Sequence, residues 1–230
     1  MPVEITEVLL EAAVDLKYLL DRGYPKKYAL TFVSNHRLLS KEMRNLLSRV
    51  IYPKDVALKR CKKLVSPCKI NAKKLVIDGF NVLITIEAML QGHPLFMGND
   101  CIVRDLERSH GKYKKSKLTE IALFLIFYEL KELDPSEVVI FFDSQVSYSK
   151  KILNYTECLS KKLKVISKLY LERAVDSVLK TEYSNEAYVI LTSDSVIIDS
   201  VTYVFDLPKY IADSLNYPLI SLINPECEHE

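Results

Sequence analysis

Apolar residues in the first quarter of the chain recur at the spacing of amphipathic helices. In residues 5–20 they alternate with Glu and Asp in the three- and four-residue steps of a helix with one buried face. Gly23 and Pro25 are suited to end that helix and to begin the next, Ser40 is suited to cap a third, and Pro53 to end it. The pattern predicts a small all-helical module over residues 1–65, with helices at residues 5–20, 26–35, from Ser40 to Pro53, and 55–64.

Beyond a predicted linker at residues 66–72, the pattern changes to short apolar runs alternating with helical stretches. Strands that alternate with helices form a mostly parallel sheet covered by helices. The prediction for residues 73–230 is therefore one α/β domain. Its predicted strands lie at 74–77, 138–142, 165–169, 188–192, 203–205 and 219–222, its helices at 81–91, 118–133, 148–162, 172–183 and 196–200, and a hairpin at 94–103.

Charge divides the chain in a similar place. Residues 1–74 carry 16 Lys and Arg against 7 Asp and Glu, a net charge of +9, whereas residues 75–230 carry 16 against 23, a net charge of −7. A basic arm on an acidic body is typical of a protein that holds a polyanion with the arm. For any single lysine, ordinary solvation remains the simpler interpretation.

The five cysteines are scattered and odd in number, which does not fit a secreted disulfide framework and favours free or buried thiols. The apolar run at residues 121–127 is far shorter than the roughly 20 residues that span a bilayer. Acidic residues also interrupt the first 15 positions, so a signal peptide is not indicated. Together these features predict a cytoplasmic protein.

Acidic residues close three of the predicted strands. Asp78 follows Leu-Val-Ile, Asp143 follows Val-Ile-Phe-Phe, and Asp194 follows Val-Ile-Leu-Thr-Ser. Parallel strands end at one edge of a sheet, so we expect these carboxylates to meet there. A cation is needed to offset their repulsion, and oxygen ligands favour Mg²⁺ or Mn²⁺. For each Asp taken alone, an N-cap role is the stronger interpretation.

Four further residues are placed less firmly. Asp199 and Glu87 could point at the same edge, whereas Asp176, at the start of the predicted helix that leads into the third of these strands, could simply face solvent. Asn81 lies three residues after Asp78, where its amide could fix the Asp78 carboxylate or bind phosphate; an ordinary turn residue is an equally good interpretation.

Two segments resemble a known group of nucleases. Asp78-Gly79-Phe80-Asn81-Val82 resembles the opening Asp-Gly-x-Asn signature of PIN/NYN ribonucleases, and residues 174–179 followed by 188–194 resemble their later acidic block. Within this superfamily the chain is most similar to an uncharacterised archaeal family that joins a short helical region to a PIN-like domain. The resemblance, over roughly residues 74–205, implies a metal-dependent endoribonuclease. It implies catalytic and metal-binding roles for Asp78, Asp143, Asp176 and Asp194, with Asn81, Glu87, Ser193 and Asp199 in support.

Candidate RNA contacts lie mostly in a basic loop at residues 110–117. Its lysines suit phosphate contacts and its tyrosine suits base stacking, although Lys/Tyr loops are also common solvated surface. Arg104 is a further candidate, but Asp100 and Asp105 beside it favour a local ion pair. Ser144 follows Asp143 at a predicted helix entry, where a phosphate could bind. The full set of expected RNA contacts is Arg104, Lys112, Tyr113, Lys114, Lys115 and Ser144.

Two other functions compete with RNA cleavage. A degenerate PIN-like body could bind RNA or assist assembly without catalysis. A phosphatase or nucleotide-binding domain is disfavoured, because neither G-x-x-x-x-G-K-[ST] nor G-x-G-x-x-G occurs. We also expect a homodimer with the apolar helix at residues 118–133 as its seam, although burial in its own core would explain that helix as well.

Overall fold

The structure of the protein is a computed structural model that describes residues 4–106 and 116–226. Its strands are β1 (Lys74–Asp78), β2 (Leu95–Met97), β3 (Val103–Arg104), β4 (Glu137–Asp143), β5 (Ser167–Glu172), β6 (Tyr188–Leu191) and β7 (Leu219–Ser221). Its helices are α1 (Glu7–Asp21), α2 (Lys26–His36), α3 (Lys41–Val50), α4 (Lys54–Cys61), α5 (Gly79–Leu90), α6 (Leu118–Leu133), α7 (Ser149–Leu163), α8 (Val175–Glu182), α9 (Ser195–Ser200) and α10 (Leu207–Ser214). A 3₁₀ turn covers Pro67–Lys69.

The chain divides into two compact units, each built from separated segments. The first unit comprises residues 1–62, 93–109 and 218–230, and the second comprises residues 63–92 and 110–217. The N-terminal helical region and the parallel sheet flanked by helices confirm the predicted α/β class.

The first unit packs helices α1 to α3 with a small sheet whose strand order is β3-β2-β7. Leu9, Leu16 and Leu47 are fully buried in its core, and Phe96 and Leu222 from the sheet segments belong to the same cluster. The predicted domain boundaries differ from this arrangement. The first boundary, near residue 65, lies close to the division at residue 62, but residues 93–106 and 218–226 join the helices, and apolar side chains from both segments, including Phe96 and Leu222, belong to the same core.

A buried ion cluster joins α4 to the β2–β3 hairpin within the first unit. Asp100 is fully buried, and its carboxylate accepts hydrogen bonds from Arg60 at 2.9 Å and from Arg104 at 2.7 and 2.8 Å. Burial alone would raise the pKa of Asp100, but the two guanidinium groups outweigh it and hold that pKa below its ordinary value of 3.8. Both guanidiniums also lie over the ring of Tyr52, at 4.1 and 5.2 Å from its centroid.

Gly98 is required beside that cluster. A Cβ atom at this position would lie 2.7 Å from a guanidinium nitrogen of Arg104 and closer still to the Asp100 carboxylate. The same unit brings together two cysteines that are far apart in the sequence, with the Sγ atoms of Cys61 and Cys101 3.4 Å apart. Cys68 and Cys158, by contrast, are exposed free thiols.

The second unit is a parallel sheet in the order β5-β4-β1-β6. Strands β1, β4 and β6 consist mostly of apolar residues and are almost completely buried, as expected of strands covered on both faces. The predicted strand at residues 203–205 is reduced to isolated parallel bridges, in which Val204 pairs with Ile190 and with Leu64.

No helix in residues 4–106 or 116–226 has both the length and the apolar character that crossing a membrane requires.

Candidate functional site

The strand order of the second unit creates one natural place for a ligand. The chain passes from β1 to β4 and β5 on one side, and then returns to place β6 on the other side of β1. In open parallel sheets, ligands bind outside the carboxyl ends of the strands at the point where the strand order reverses. That point lies between β1, which ends at Asp78, and β6, which leads into Thr192-Ser193-Asp194.

Asp78 ends β1 at this point of the sheet edge, called here the β1–β6 crevice, and is only 6% exposed. Its Oδ1 atom accepts a hydrogen bond of 3.4 Å from the backbone N–H of Asn81, so it caps α5 as predicted for an acid between strand and helix. Its Oδ2 atom accepts a hydrogen bond of 3.2 Å from the hydroxyl of Thr192 at the end of β6. The carboxylate is therefore held in a fixed orientation by groups from both sides of the crevice.

Asn81, in the first turn of α5, holds the segment after β6 in place through hydrogen bonds. Its Oδ1 atom accepts hydrogen bonds from the backbone N–H of Ser193 at 2.8 Å and from the Ser193 hydroxyl at 2.9 Å. Both residues are buried. Asn81 and Ser193 therefore hold the first turn of α5 against the end of β6.

Asp194 is half-buried at the same crevice and begins α9. Its Oδ1 atom accepts hydrogen bonds from the N–H groups of Val196 at 2.7 Å and Ile197 at 3.3 Å. Its own N–H donates to the Thr192 hydroxyl at 3.1 Å, so that one hydroxyl contacts both Asp78 and Asp194. Within the described residues, the Asp194 Oδ2 atom has no hydrogen-bond partner.

Gly79 lets α5 begin close against the sheet. A Cβ atom at this position would lie 2.6 Å from the ring of Phe142 and 2.8 Å from the carbonyl oxygen of Phe141. The contact with the backbone cannot be relieved by a rotamer change. The Asp78-Gly79 pair therefore sets where the first turn of α5 lies relative to β4.

Two more acids close the neighbouring strands at the same edge. Asp143 and Glu172 end β4 and β5 and are paired in register. Asp143 Oδ1 accepts a hydrogen bond of 2.7 Å from the N–H of Gln145, and Glu172 Oε1 accepts one of 2.7 Å from the N–H of Arg173. Glu172 was not among the predicted acids, because the predicted strand ended at residue 169. The apolar run Leu169-Tyr170-Leu171, which continues up to Glu172, is the signal that would have extended it.

Three of the predicted acids lie on helices that follow the carboxyl ends of the strands. Asp176 is exposed in the first turn of α8, and Asp199 is exposed on α9. Glu87 lies nine residues beyond Asp78, which corresponds to roughly 13 Å along α5.

Glu87 is buried, and its Oε1 atom accepts hydrogen bonds from the hydroxyls of Thr119 and Ser116. It joins α5 to the start of α6, which is a structural role.

The predicted RNA contacts divide into three cases. Arg104 is 2% exposed and paired with Asp100, so the ion-pair interpretation is the one that the structure shows, and its guanidinium does not face solvent. Ser144 is exposed at the carboxyl edge of the second unit's sheet, where its N–H donates to the carbonyl of Glu172 at 2.9 Å. Lys112, Tyr113, Lys114 and Lys115 lie outside the described residues.

The acids at the crevice differ from the ligand set expected for Mg²⁺ or Mn²⁺. Within residues 4–106 and 116–226, no three His, Cys, Asp or Glu side chains form a group that could hold a metal ion. The four-aspartate ligand set expected from the sequence is therefore not assembled. Carboxylate oxygens are nevertheless the donors that Mg²⁺ prefers, and Mg²⁺ usually keeps several waters beside one or two carboxylates. Asp78 and Asp194 are the two acids that contact the Thr192 hydroxyl, Asp78 through its carboxylate and Asp194 through its backbone N–H.

Comparison with known proteins places the chain in a family. The model described as "Domain of unknown function (DUF5616)" matches residues 67–210, which include the whole β1–β6 crevice. The chain belongs to the DUF5616 family. A second model, described as "Protein of unknown function (DUF434)", matches residues 8–63 of this DUF5616 protein.

A relative of this DUF5616 protein covers both regions. The protein called "Uncharacterized protein MJ0935", from the archaeon Methanocaldococcus jannaschii, is 39% identical over 212 residues, which cover 90% of this chain and 96% of the relative. No solved structure matches the chain.

Proposed function

We propose that this protein is a metal-dependent endoribonuclease whose reaction centre is the β1–β6 crevice. The observation that carries the proposal is that Asp78 and Asp194 border one strand-order reversal and share contacts with the Thr192 hydroxyl. The resemblance of residues 78–82 and 188–194 to PIN/NYN ribonucleases supports the same assignment.

The proposed roles follow from the hydrogen bonds. Asp78 is held from two directions, so its carboxylate is oriented before any substrate binds. Asp194 uses one oxygen to cap α9, which leaves Oδ2 as the oxygen that faces a ligand. The hydrogen bonds from Ser193 to Asn81 hold the end of β6 against the start of α5.

Asp78 and Asp194 would hold Mg²⁺ or Mn²⁺ together with water, and Asp143 on the adjacent strand would extend the site towards the RNA. When bound, such an ion lowers the pKa of a water molecule and stabilises negative charge on a phosphoryl group. Asp176 and Asp199 remain predictions as metal or supporting residues, and both are exposed on their helices.

RNA as the substrate is proposed from charge and chemistry. A net charge of +9 over residues 1–74 would attract a polyanion towards an otherwise acidic protein. Ser144, exposed beside Asp143, is the proposed phosphate contact at the sheet edge, and Lys112 to Lys115 are proposed to add cationic contacts. The proposed cellular location is the cytoplasm.

The experiment is a cleavage assay with Mn²⁺ on a panel of single-stranded and structured RNAs. Asp78→Asn and Asp194→Asn should each lower the cleavage rate by at least about a hundredfold, because each removes a charge from the site while keeping its shape. EDTA should abolish cleavage. Asp213→Asn is the matched control, since Asp213 is an exposed acid of α10 paired with Lys209. Unchanged cleavage by the Asp78→Asn/Asp194→Asn double variant would refute the proposal.

A second candidate function is RNA binding without catalysis. It is favoured by one observation, which is that the described acids do not assemble a three-ligand metal group. Under this alternative, Asp78, Asp143 and Asp194 act as helix and loop caps only. Tight, salt-sensitive RNA binding with no metal-dependent cleavage would support it over the nuclease.

A homodimer through α6 also remains a proposal. Ile121, Phe124 and Tyr128 form an exposed apolar row at helical spacing on that helix. Light scattering on the protein at micromolar concentration should give the mass of a dimer, and Phe124→Glu should shift it to that of a monomer. A monomeric mass for the unsubstituted protein would contradict this.

A further inference from the structure

An exposed row of rings on α2 lies in the most basic stretch of the chain. We propose that this row, which consists of Tyr28, Phe32 and His36 and is called here the α2 aromatic face, binds single-stranded nucleic acid by stacking with its bases. The inference concerns binding in the first unit and does not require that the β1–β6 crevice be catalytic.

The rings are solvent-facing and regularly spaced. Tyr28 is 69% exposed and Phe32 is 64% exposed, although neighbouring residues of α2 such as Ala29 and Val33 are buried. Four-residue steps along a helix separate successive rings by about 6 Å. The rings of Phe32 and His36 are parallel within 1°, with centroids 6.0 Å apart. Aromatic rings displayed in this way offer flat surfaces on which bases of any sequence stack.

A cation is fixed on the same face. On the helical wheel, Asn35 projects about 20° from Tyr28, on the side away from Phe32, and its Oδ1 atom accepts a hydrogen bond of 2.8 Å from the guanidinium of Arg44. Arg44 therefore reaches across from α3 to the exposed side of α2 that also carries Tyr28. Lys27, adjacent to Tyr28 in the sequence but about 100° from it around the helix, is also exposed. Rings with guanidinium and ammonium groups beside them match the alternating bases and phosphates of a single strand.

The positive charge around the α2 aromatic face favours nucleic acid over a protein as its partner. Residues 22–62, which include α2, α3 and α4, contain 11 Lys and Arg against 2 Asp and Glu. Two of these cations are already paired with acids outside this stretch, Arg37 with Glu11 and Asp15 of α1, and Arg60 with buried Asp100. Helix α1 also exposes an apolar row at Leu10, Val14 and Tyr18, but four of its fifteen residues are acidic and one is basic. Phosphates would be repelled from α1 and attracted to the α2 aromatic face, so the two exposed rows are expected to behave differently.

The test measures the binding of a fluorescein-labelled oligouridylate of about 16 nucleotides to the full chain by anisotropy, in EDTA so that no metal-dependent cleavage occurs. Because each stacked base contributes about 1–3 kcal/mol, Tyr28→Ala/Phe32→Ala should raise Kd at least tenfold. Tyr28→Phe should leave it unchanged, since the ring is retained. Arg44→Gln should lower the slope of log K against log salt by about one.

Val14→Ala/Tyr18→Ala is the matched control, with two comparably exposed side chains removed from the acidic helix, and should bind as the unsubstituted protein does. Circular dichroism should show equal thermal midpoints for both double variants. Loss of binding by Tyr28→Ala/Phe32→Ala alone supports the proposal. Unchanged binding by that variant overturns it, and unchanged binding together with a shift from dimer to monomer in light scattering would identify the face as a contact between copies of the chain.

Discussion

At the scale of single residues, the two carboxylate oxygens of Asp194 have different surroundings. Its Oδ1 atom caps α9 through Val196 and Ile197, as the simplest interpretation of the sequence predicted. The other oxygen is available for a ligand. The two roles can be separated by substitution, because Asn caps a helix as well as Asp but carries no charge.

Asp194→Asn should therefore change the free energy of unfolding by a few tenths of a kcal/mol at most, whereas Asp194→Ala should lower it by about 1 kcal/mol. Urea denaturation followed by circular dichroism measures both. In the nuclease assay the two variants should be equally impaired. Equal stability of the Asp194→Asn and Asp194→Ala proteins would mean that the cap contributes nothing.

Gly79 is a second residue at which the local geometry makes a specific prediction. Gly79→Ala would bring a methyl group against the Phe142 ring and the Phe141 carbonyl oxygen. Overpacking of this kind costs about 1–3 kcal/mol, so the free energy of unfolding should fall by that amount. Lys74→Ala, at the exposed start of β1, is the control and should be close to neutral. A Gly79→Ala protein as stable as the control would contradict the observed closeness of α5 and β4.

Contacts between distant residues could not be read from the sequence. The proximity of Asp78 and Asn81 follows from their spacing at a strand-to-helix turn. The hydrogen bonds from Thr192 to Asp78 and from Ser193 to Asn81, however, join residues 114 and 112 positions apart. They depend on β6 pairing with β1 on the side opposite β4, and periodicity carries no information about strand order.

At the scale of elements, the buried strands were the most predictable parts of the fold. Strands β1, β4 and β6 are short apolar runs that end at or just before an acid, and the predicted bounds lie within a few residues of those observed. Strand β5 is half-exposed and mixes polar with apolar residues, so its end was misplaced. Helix α10 was missed altogether, although Asp206 as its cap and Pro208 in its first turn are recognised start signals.

The ion cluster of α4 and the β2–β3 hairpin is the element-scale feature with the clearest pH dependence. Since the guanidiniums of Arg60 and Arg104 hold the folded-state pKa of Asp100 below 3.8, its carboxylate stabilises the fold above that pH. That contribution is lost as the pH falls through the lowered folded-state pKa.

Asp100→Asn should lower the free energy of unfolding at neutral pH by about 3–5 kcal/mol, because two buried guanidiniums lose the counter-charge that Asp100 supplies. Its remaining stability should fall less steeply below about pH 4 than that of the unsubstituted protein. Guanidinium-chloride denaturation at several pH values checks both outcomes. Asp55→Asn is a suitable control, since Asp55 is an exposed acid of α4 in a loose pair with Lys59. Parallel pH profiles for Asp100→Asn and the unsubstituted protein would exclude this role for Asp100.

At the scale of the whole molecule, the first unit differs from the self-contained helical module predicted for residues 1–65. Its core includes Phe96 and Leu222, and Arg60 pairs with Asp100. Sequence periodicity located the helices correctly but could not show which apolar segments cover them.

A fragment of residues 1–65 should consequently lack a cooperative thermal transition, because its helices would expose apolar faces and Arg60 would lose the counter-charge of Asp100. Circular dichroism on heating, compared with that of the full chain, measures this. A sharp melting transition in a monomeric fragment would show that residues 93–109 and 218–226 are dispensable for folding of the helices.

The segmented first unit has a consequence for how the protein is made. Domains usually fold as they leave the ribosome, at about 5–20 residues per second. Here α1 to α4 emerge well before β2 and β3, and β7, which pairs with β2, emerges after the entire second unit. The helices of the nascent chain therefore keep an apolar face uncovered until β7 has been synthesised. The part of the polypeptide that is made first is among the last to reach its final packing.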